Sequence, residues 1–262
     1  MKQISLMTSN ICCWGKEQNS VAKRQPRVKE IYKKYLPDLI GTQETTLLWK
    51  NYLTEALPEY GVIGEPRDDY EGNGEHCAIL YRKEKFDLVK TETFALSESG
   101  EFASLGWGEE YPRICTYAVL KDKESGEQIA FFNTHLALKD EARINMLNLI
   151  FDKLKKLGLP ALLTGDFNTI ENSDSYKACL ELFDDSKFIA KKTENGYTWH
   201  GYEDENFVNN EKHARYNGSP IDYCMCSKGK FDVESYEIIR DKASDGMPIS
   251  DHYPVMVKLT LK

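Results

Sequence analysis

Apolar and polar positions along the chain change period several times, and the changes mark alternating strands and helices. Ile4 to Thr8 is a short apolar run that predicts an opening strand. Val28, Ile31, Tyr32, Tyr35 and Leu36 then recur at helical spacing, with Pro26 suited to a first turn, where its missing N–H costs little. Pro37 follows, and Asp38-Leu39-Ile40-Gly41 predicts the next strand, leading straight into Gln43-Glu44. Trp49, Leu53, Ala56 and Leu57 mark a second amphipathic helix ended by Pro58.

From there the period becomes two. Cys77 to Tyr81, Phe86 to Phe94, Ile114 to Leu120 and Gln128 to Asn133 predict successive strands, the last two joined by the turn Asp122-Lys123-Glu124-Ser125-Gly126. A helix follows, with Leu147, Ile150, Phe151, Leu154 and Leu157 on one face and Gly158 as its stop. Pro160 to Thr164 predicts a buried strand, and Ser173 a helix cap for an apolar face of Tyr176, Cys179, Leu180 and Phe183. Ile221 to Cys226, Phe231 to Ile239 and Val255 to Leu261 complete about ten strands. No linker, repeat or composition break divides them, so residues 1–262 read as one domain of two packed sheets covered by helices.

Composition narrows the class. With its 17 glycines the chain is about 47% apolar, inside the ordinary globular range of about 45–50%. Thirty-four Lys and Arg against 42 Asp and Glu give a charge of −8, which excludes a protein that grips nucleic acid by phosphate neutralisation alone. The N-terminus turns polar too soon for a signal peptide, and no apolar run approaches membrane-spanning length. A cytoplasmic location is expected. The seven cysteines include an adjacent pair, Cys12-Cys13, that lacks zinc spacing, and an alternating pair, Cys224 and Cys226, that suits one face of a strand. Free, buried thiols are expected, and the triplet Asn217-Gly218-Ser219 has no bearing on a chain kept inside the cell.

Polar residues with chemical potential repeatedly fall at strand ends. Asn10 follows the first strand, Glu44 the second, His135 the run Phe131-Phe132-Asn133-Thr134, and Asp166 and Asn168 the run Ala161 to Thr164; Asp251 and His252 precede the last strand. Singly, each has a bland reading: a solvated glutamate, an Asx turn, a satisfied core histidine. Together they suit hydrolysis of a phosphate ester, which needs charge neutralisation on the phosphoryl oxygens, an oriented water and a group to take its proton. The oxygens of Glu44 and Asn10 suit Mg²⁺, His135 and Asn168 suit phosphate oxygens, and Asp166 and His252 suit the water.

The motifs Gln43-Glu44, Asn133-Thr134-His135-Leu136, Gly165-Asp166-Phe167-Asn168, Ile221-Asp222-Tyr223 and Ser250-Asp251-His252-Tyr253-Pro254-Val255 resemble, in order, those of the endonuclease/exonuclease/phosphatase superfamily. The resemblance implies an α/β (α+β) fold, a four-layer α/β/β/α sandwich of two mixed sheets flanked by helices. It implies Glu44 as principal metal ligand with Asn10 nearby and Asp251 on the metal side. It further implies Asp166 as the water-orienting carboxylate, Asn168 beside it, His135 on the scissile phosphate, and His252 paired with Asp222. The metal is expected to be Mg²⁺, with Mn²⁺ as substitute. Pro112-Arg113-Ile114 and Thr198-Trp199-His200-Gly201 resemble further elements of a small bacterial branch and make Arg113 and His200 candidate phosphate contacts. Where many members carry Arg two residues before the Asp-Tyr pair, this chain has Pro220.

The reading is therefore a Mg²⁺-dependent hydrolase of phosphate esters, first of all a phosphodiesterase. A nuclease for single-stranded nucleic acid and a phosphomonoesterase for a sugar or inositol phosphate are the alternatives, and a non-catalytic binding module with the same fold is the alternative of another class. Whether Asp166 or His252 is the base stays open. Tyr70, Trp107, Tyr111, Trp199 and Tyr202 offer stacking surfaces, but no dense basic run accompanies them, so the expected partner is a small molecule or a short nucleic acid. The sequence indicates no membrane segment and no protein partner.

Overall fold

The computed structural model describes residues 3–69, 74–202, 216 and 218–262; Tyr70 and Asn217 lie outside the described residues. Among these, thirteen strands form two sheets. The seven-stranded sheet contains β1 (Ile4–Asn10), β2 (Leu39–Thr45), β3 (Tyr60–Ile63), β4 (His76–Arg82), β10 (Lys192–Thr193), β12 (Phe231–Ile238) and β13 (Val255–Leu261), in the order β10-β12-β13-β1-β2-β4-β3. The six-stranded sheet contains β5 (Phe86–Ala95), β6 (Ile114–Asp122), β7 (Gln128–His135), β8 (Ala161–Asp166), β9 (Phe183–Asp185) and β11 (Asp222–Ser227), in the order β5-β6-β7-β8-β11-β9. Both are mixed: β1–β2 and β7–β8 run parallel within otherwise mainly antiparallel ladders.

Because successive strand residues face opposite ways, each central strand feeds two cores. Leu6, Leu39 and Ile79 of one sheet meet Phe131, Leu162 and Cys224 of the other in the layer between the sheets. Their neighbours Met7, Ile40 and Leu80 pack against α1 (Val21–Tyr35) and α2 (Leu47–Ala56), while Phe132, Leu163 and Met225 pack against α3 (Asp140–Leu157) and α4 (Asp174–Cys179). The strands are apolar on both faces for this reason, and the architecture is the expected four-layer sandwich.

Two local expectations change. Helix α1 starts at Val21, not near Pro26, so the proline lies in its interior. The early start serves Arg24, which is fully buried and donates to the carbonyls of Ile11, Cys12, Trp14 and Asn19, fixing the turn that follows β1. Helix α4 ends at Cys179, capped at its start by Ser173 as expected. Phe183 leaves the helical face to open β9, where it pairs with Ser227 and enters the α3-side core. All seven cysteines are free thiols.

One polar cluster crosses the middle layer. The buried Asn133 amide donates to the carbonyls of Thr42 and Ala78, both at 2.9 Å, and its oxygen accepts from Gln43 Nε2 at 2.6 Å and Thr164 Oγ1 at 3.0 Å. Gly41 gives this amide its room: a Cβ there would stand 2.0 Å from Thr164 Oγ1 and 2.5 Å from Asn133 Oδ1. Gly41→Ala is accordingly expected to destabilise the fold by about 1–3 kcal/mol, measured as a lower denaturation midpoint in urea. An unchanged midpoint would show that the sheets do not need this closeness.

Candidate active site

Strand register brings the candidate residues to one end of both sheets. In the six-stranded sheet, His135 ends β7 opposite Asp166 at the end of β8, and Asp166 in turn faces Asp222 at the start of β11. In the seven-stranded sheet, Asn10 ends β1 beside Gln43 of β2, and Glu44 follows within the same strand. Asn10, Glu44, His135, Asp166 and Asp222 thus occupy end positions of strands, whereas Asn168, Asp251 and His252 lie in the segments beyond them. Glu44 and Asn168 take left-handed backbone conformations, with φ of 57° and 51°, which turn the chain sharply where each side chain reaches the cleft.

A chain of hydrogen bonds joins the two sheets. Asn10 Nδ2 donates to Glu44 Oε1 at 2.9 Å and to Asp166 Oδ2 at 3.1 Å, while Glu44 Oε2 accepts from the Cys13 amide at 2.9 Å. Asp166 Oδ1 accepts from the Asn168 amide at 2.9 Å. Asp166 Oδ2 lies 3.6 Å from His135 Nε2 and 3.8 Å from His252 Nε2, and His252 Nδ1 is 2.9 Å from Asp222 Oδ2. Thr198 Oγ1 accepts from the backbone amides of Ile221 and Asp222 and so seats the partner of His252.

Burial makes these charges matter. Asp166 is held at a pKa of about 7 by burial and then by the neighbouring Asp222 carboxylate, against the pull of His252. For His252, burial pulls the pKa down, but the carboxylates of Asp222, Asp251 and Asp166 outweigh it and keep the ring protonated well above its ordinary value. His135 goes the other way: burial, then Arg113, Arg67 and His252, press it well below the ordinary imidazole range. The site therefore holds one cationic and one neutral imidazole on either side of a single carboxyl group.

Asp166, Asp222 and His252 offer ligand atoms within 4.8 Å of one another. A protonated imidazole hydrogen-bonded to Asp222 has no lone pair for a metal, so this trio is better described as an ion pair beside a carboxylate. The oxygen donors on the other side fit a hard divalent cation more closely. Burial first, then the carboxylates of Asp251 and Glu44, push up the Cys12 thiol, which places both acids around the same turn as Asn10. Asp251 also lines the cleft, with Oδ1 accepting from Ser250 Oγ at 3.1 Å.

The cleft measures about 400 Å³ and includes Glu44, Arg113, His135, Asp166, Asn168, Asp251 and His252 in its lining. His200 is placed elsewhere: it is fully buried, stacked on Tyr253 with ring centroids 4.3 Å apart, and absent from the cleft wall. Its backbone amide donates to the Asp251 carbonyl at 2.9 Å, so it braces the Asp251–Tyr253 segment instead of meeting phosphate. Tyr111 and Trp199 reach the cleft as stacking candidates, whereas Trp107 packs on the α3-side core. Sequence reasoning missed Trp14, Arg67, Glu75 and Tyr216, all in the cleft wall. The only signal for Glu75 was its place immediately before the strand at Cys77.

Two sheets that deliver carboxylates, amides and imidazoles to one cleft define a phosphoester hydrolase of the sandwich class. The chain belongs to the endonuclease/exonuclease/phosphatase family, whose profile matches residues 13–252. Members of this family are phosphoester hydrolases. An endonuclease/exonuclease/phosphatase family protein from Bacteroides thetaiotaomicron is 31% identical, with a TM-score of 0.89, 100% of this chain and 98% of that chain being covered. A mannosyl-6-phosphatase from the same organism is also 31% identical, with a TM-score of 0.88 and coverage of 98% and 100%. The human Nocturnin catalytic domain shares the fold, at 18% identity and a TM-score of 0.74, over 99% of this chain and 94% of that one. No curated protein matches the chain significantly.

The raised carboxyl and the cationic imidazole bear on stability. Folded Asp166 and folded His252 both keep protons that their unfolded counterparts release, so stability in the absence of metal falls as pH rises through the interval between unfolded and folded values. For Asp166 that interval runs from about 4 to about 7. Asp166→Asn is therefore expected to gain about 2 kcal/mol relative to wild type between about pH 5 and about pH 8, read from urea unfolding in chelator. A parallel pair of curves would mean that Asp166 is not protonated at mildly acidic pH in the folded protein.

Proposed function

We propose that residues 1–262 act as one domain, a Mg²⁺-dependent hydrolase of phosphate esters of small polar molecules, with a sugar phosphate monoester as the preferred type. The observation that carries this reading is the hydrogen-bonded line Glu44–Asn10–Asp166 meeting the Asp222–His252 ion pair at the floor of one small cleft. A cleft of about 400 Å³ suits a single sugar-sized group, and the likeness to a mannosyl-6-phosphatase supports it. The aromatic side chains Trp14, Tyr111, Trp199 and Tyr216 favour a second reading, a diester at the end of a short single strand held by stacking.

Glu44, Asn10 and Asp251 would hold the cation, with Mn²⁺ as a substitute, and when bound it supplies charge neutralisation for the phosphoryl oxygens. Asp166 takes the proton of the attacking water, since a carboxyl group with a pKa of about 7 is free to accept one at neutral pH. His252, already protonated, donates from Nε2 to a phosphoryl oxygen, and Asp222 keeps its ring oriented and charged. Neutral His135 contributes a hydrogen bond without adding charge, and Asn168 orients the water through its place against Asp166. Seven free thiols suit a reducing compartment, so a cytoplasmic location is part of the proposal.

Assayed on a panel of sugar monophosphates, aryl mono- and diesters and short oligonucleotides, the protein is expected to act with Mg²⁺ and to stop with chelator. Asp166→Asn should lower kcat by about 10²–10⁴-fold. Wild type and Asp166→Asn showing the same turnover across the panel would defeat the hydrolase reading.

A further inference from the structure

Arg113 sits in an unusual state. Pro112-Arg113 leads into β6, and the pairing of Cys115 with Thr134 sets Arg113 diagonally beside His135. The same register puts Ile114 opposite His135 and His135 opposite Asp166, so Arg113 lies one residue before the position level with the two. Arg113 is only 5% exposed, lines the cleft, and has Nε and Nη1 buried with no hydrogen-bond partner. Its backbone carbonyl accepts from the Leu96 amide at 2.7 Å, but among the described residues its guanidinium makes no hydrogen bond or salt bridge.

Its neighbour Arg67 does the opposite. Arg67 binds Glu75 through two contacts, Nη1 to Oε2 at 2.9 Å and Nη2 to Oε1 at 2.8 Å, and lies over the Tyr111 ring at 5.5 Å. Glu75 cancels the charge of Arg67, and His135 beside them is held neutral. The Arg113 guanidinium has no paired carboxylate of its own, although Glu75 and Asp166 attract it across the recess. A buried, unpartnered guanidinium is expensive to maintain without a ligand that completes it.

On the reading of this cleft as a phosphoester hydrolase site, we propose that Arg113 recognises the extra charged oxygen of a terminal phosphoryl group and so makes the enzyme selective for monoesters over diesters. A diester carries one negative charge at neutral pH, while a monoester, with its second proton leaving near pH 6, carries between about 1.5 and 2. The difference matches one unpaired guanidinium. The geometry acts in the same direction, because in a diester the second esterified group takes the place of that oxygen. Arg67, fixed by Glu75 and Tyr111, is the positioning residue that walls the recess and repels Arg113 toward the cleft.

The test compares Mg²⁺-loaded wild type with Arg113→Met and Arg113→Lys, by calorimetric binding of inorganic phosphate and of dimethyl phosphate and by kcat/KM on aryl phosphate mono- and diesters. Wild type is expected to bind inorganic phosphate at least tenfold more tightly than dimethyl phosphate. Arg113→Met should cut that preference, and the monoester-to-diester ratio of kcat/KM, by about ten- to a hundredfold; Arg113→Lys should restore only part, since it lacks the planar fork. An equal loss for both ligands, or no loss, overturns the proposal. Should the variants fail to fold, wild type alone decides: its preference for inorganic phosphate over dimethyl phosphate should grow as pH rises through the second ionisation of inorganic phosphate, and a flat preference overturns it. A protein that binds phosphate with this preference but hydrolyses no ester would defeat the hydrolase reading and leave the subsite standing.

Discussion

The buried amide of Asn133 is the constraint on which the site depends. It stands in β7, in the dry layer between the sheets, and an amide there without partners would cost several kcal/mol. All of its hydrogen-bonding capacity is spent across the gap, on Thr42, Ala78 and Gln43 of the other sheet, and on Thr164 of its own. Only one relative placement of the sheets satisfies these bonds, and Gly41 permits it by leaving out a side chain. The catalytic candidates lie one or two residues further along the same strands: Glu44 after Gln43, His135 two after Asn133, Asp166 two after Thr164. A polar contact that looks like a fault in an apolar core thus sets the distance between Glu44 on one sheet and Asp166 on the other.

From that placement the electrostatics follow. Glu44, Asp166 and Asp251 line one cleft, and Asp222 backs it through His252. Four acids so close are compensated by the Asn10 amide between Glu44 and Asp166, the Cys13 and Asn168 backbone amides, and a protonated His252 against Asp222. Compensation stops short of complete, and Asp166 answers by keeping its proton to about pH 7. The same incompleteness is what gives a carboxyl group useful basicity near neutrality, so the cost to the fold and the value to the chemistry arise from one arrangement.

Much of this was legible in the sequence because it is local. Strand periodicity, the Gly158 stop, the Ser173 cap and the position of Asn10, Glu44, His135 and Asp166 at strand ends depend on a few neighbouring residues. What was not legible depends on distant contacts. Pro26 reads as a helix start until Arg24 is seen gathering carbonyls from the turn after β1. The short strands β3, β9 and β10 exist because a longer strand lies beside them, and Phe183 changes from helix face to strand for the same reason. Glu75 and Arg67 carry no motif; only the β2–β4 pairing and the Pro66–His76 bridge bring them to the cleft. His200 belongs to a recognisable sequence element, yet stacking on Tyr253 turns it away from the site.

The two cleft histidines show why identity and spacing leave roles open. His135 and His252 both lie within 4 Å of the same oxygen of Asp166, and both are buried. Burial alone would leave each of them neutral. The difference comes from the other neighbours: His252 is hydrogen-bonded to Asp222 and also faces Asp251, whereas His135 only approaches Glu75, at 3.9 Å, and faces Arg113, Arg67 and His252 itself. Once His252 is charged it cannot take a proton from water, whereas the Asp166 carboxylate beside it can. Charging His252 also helps to hold His135 neutral, so the two protonation states are set together. The assignment of roles is therefore a property of the whole constellation, and removing Asp222 would alter His135 and Asp166 as well as the histidine it touches.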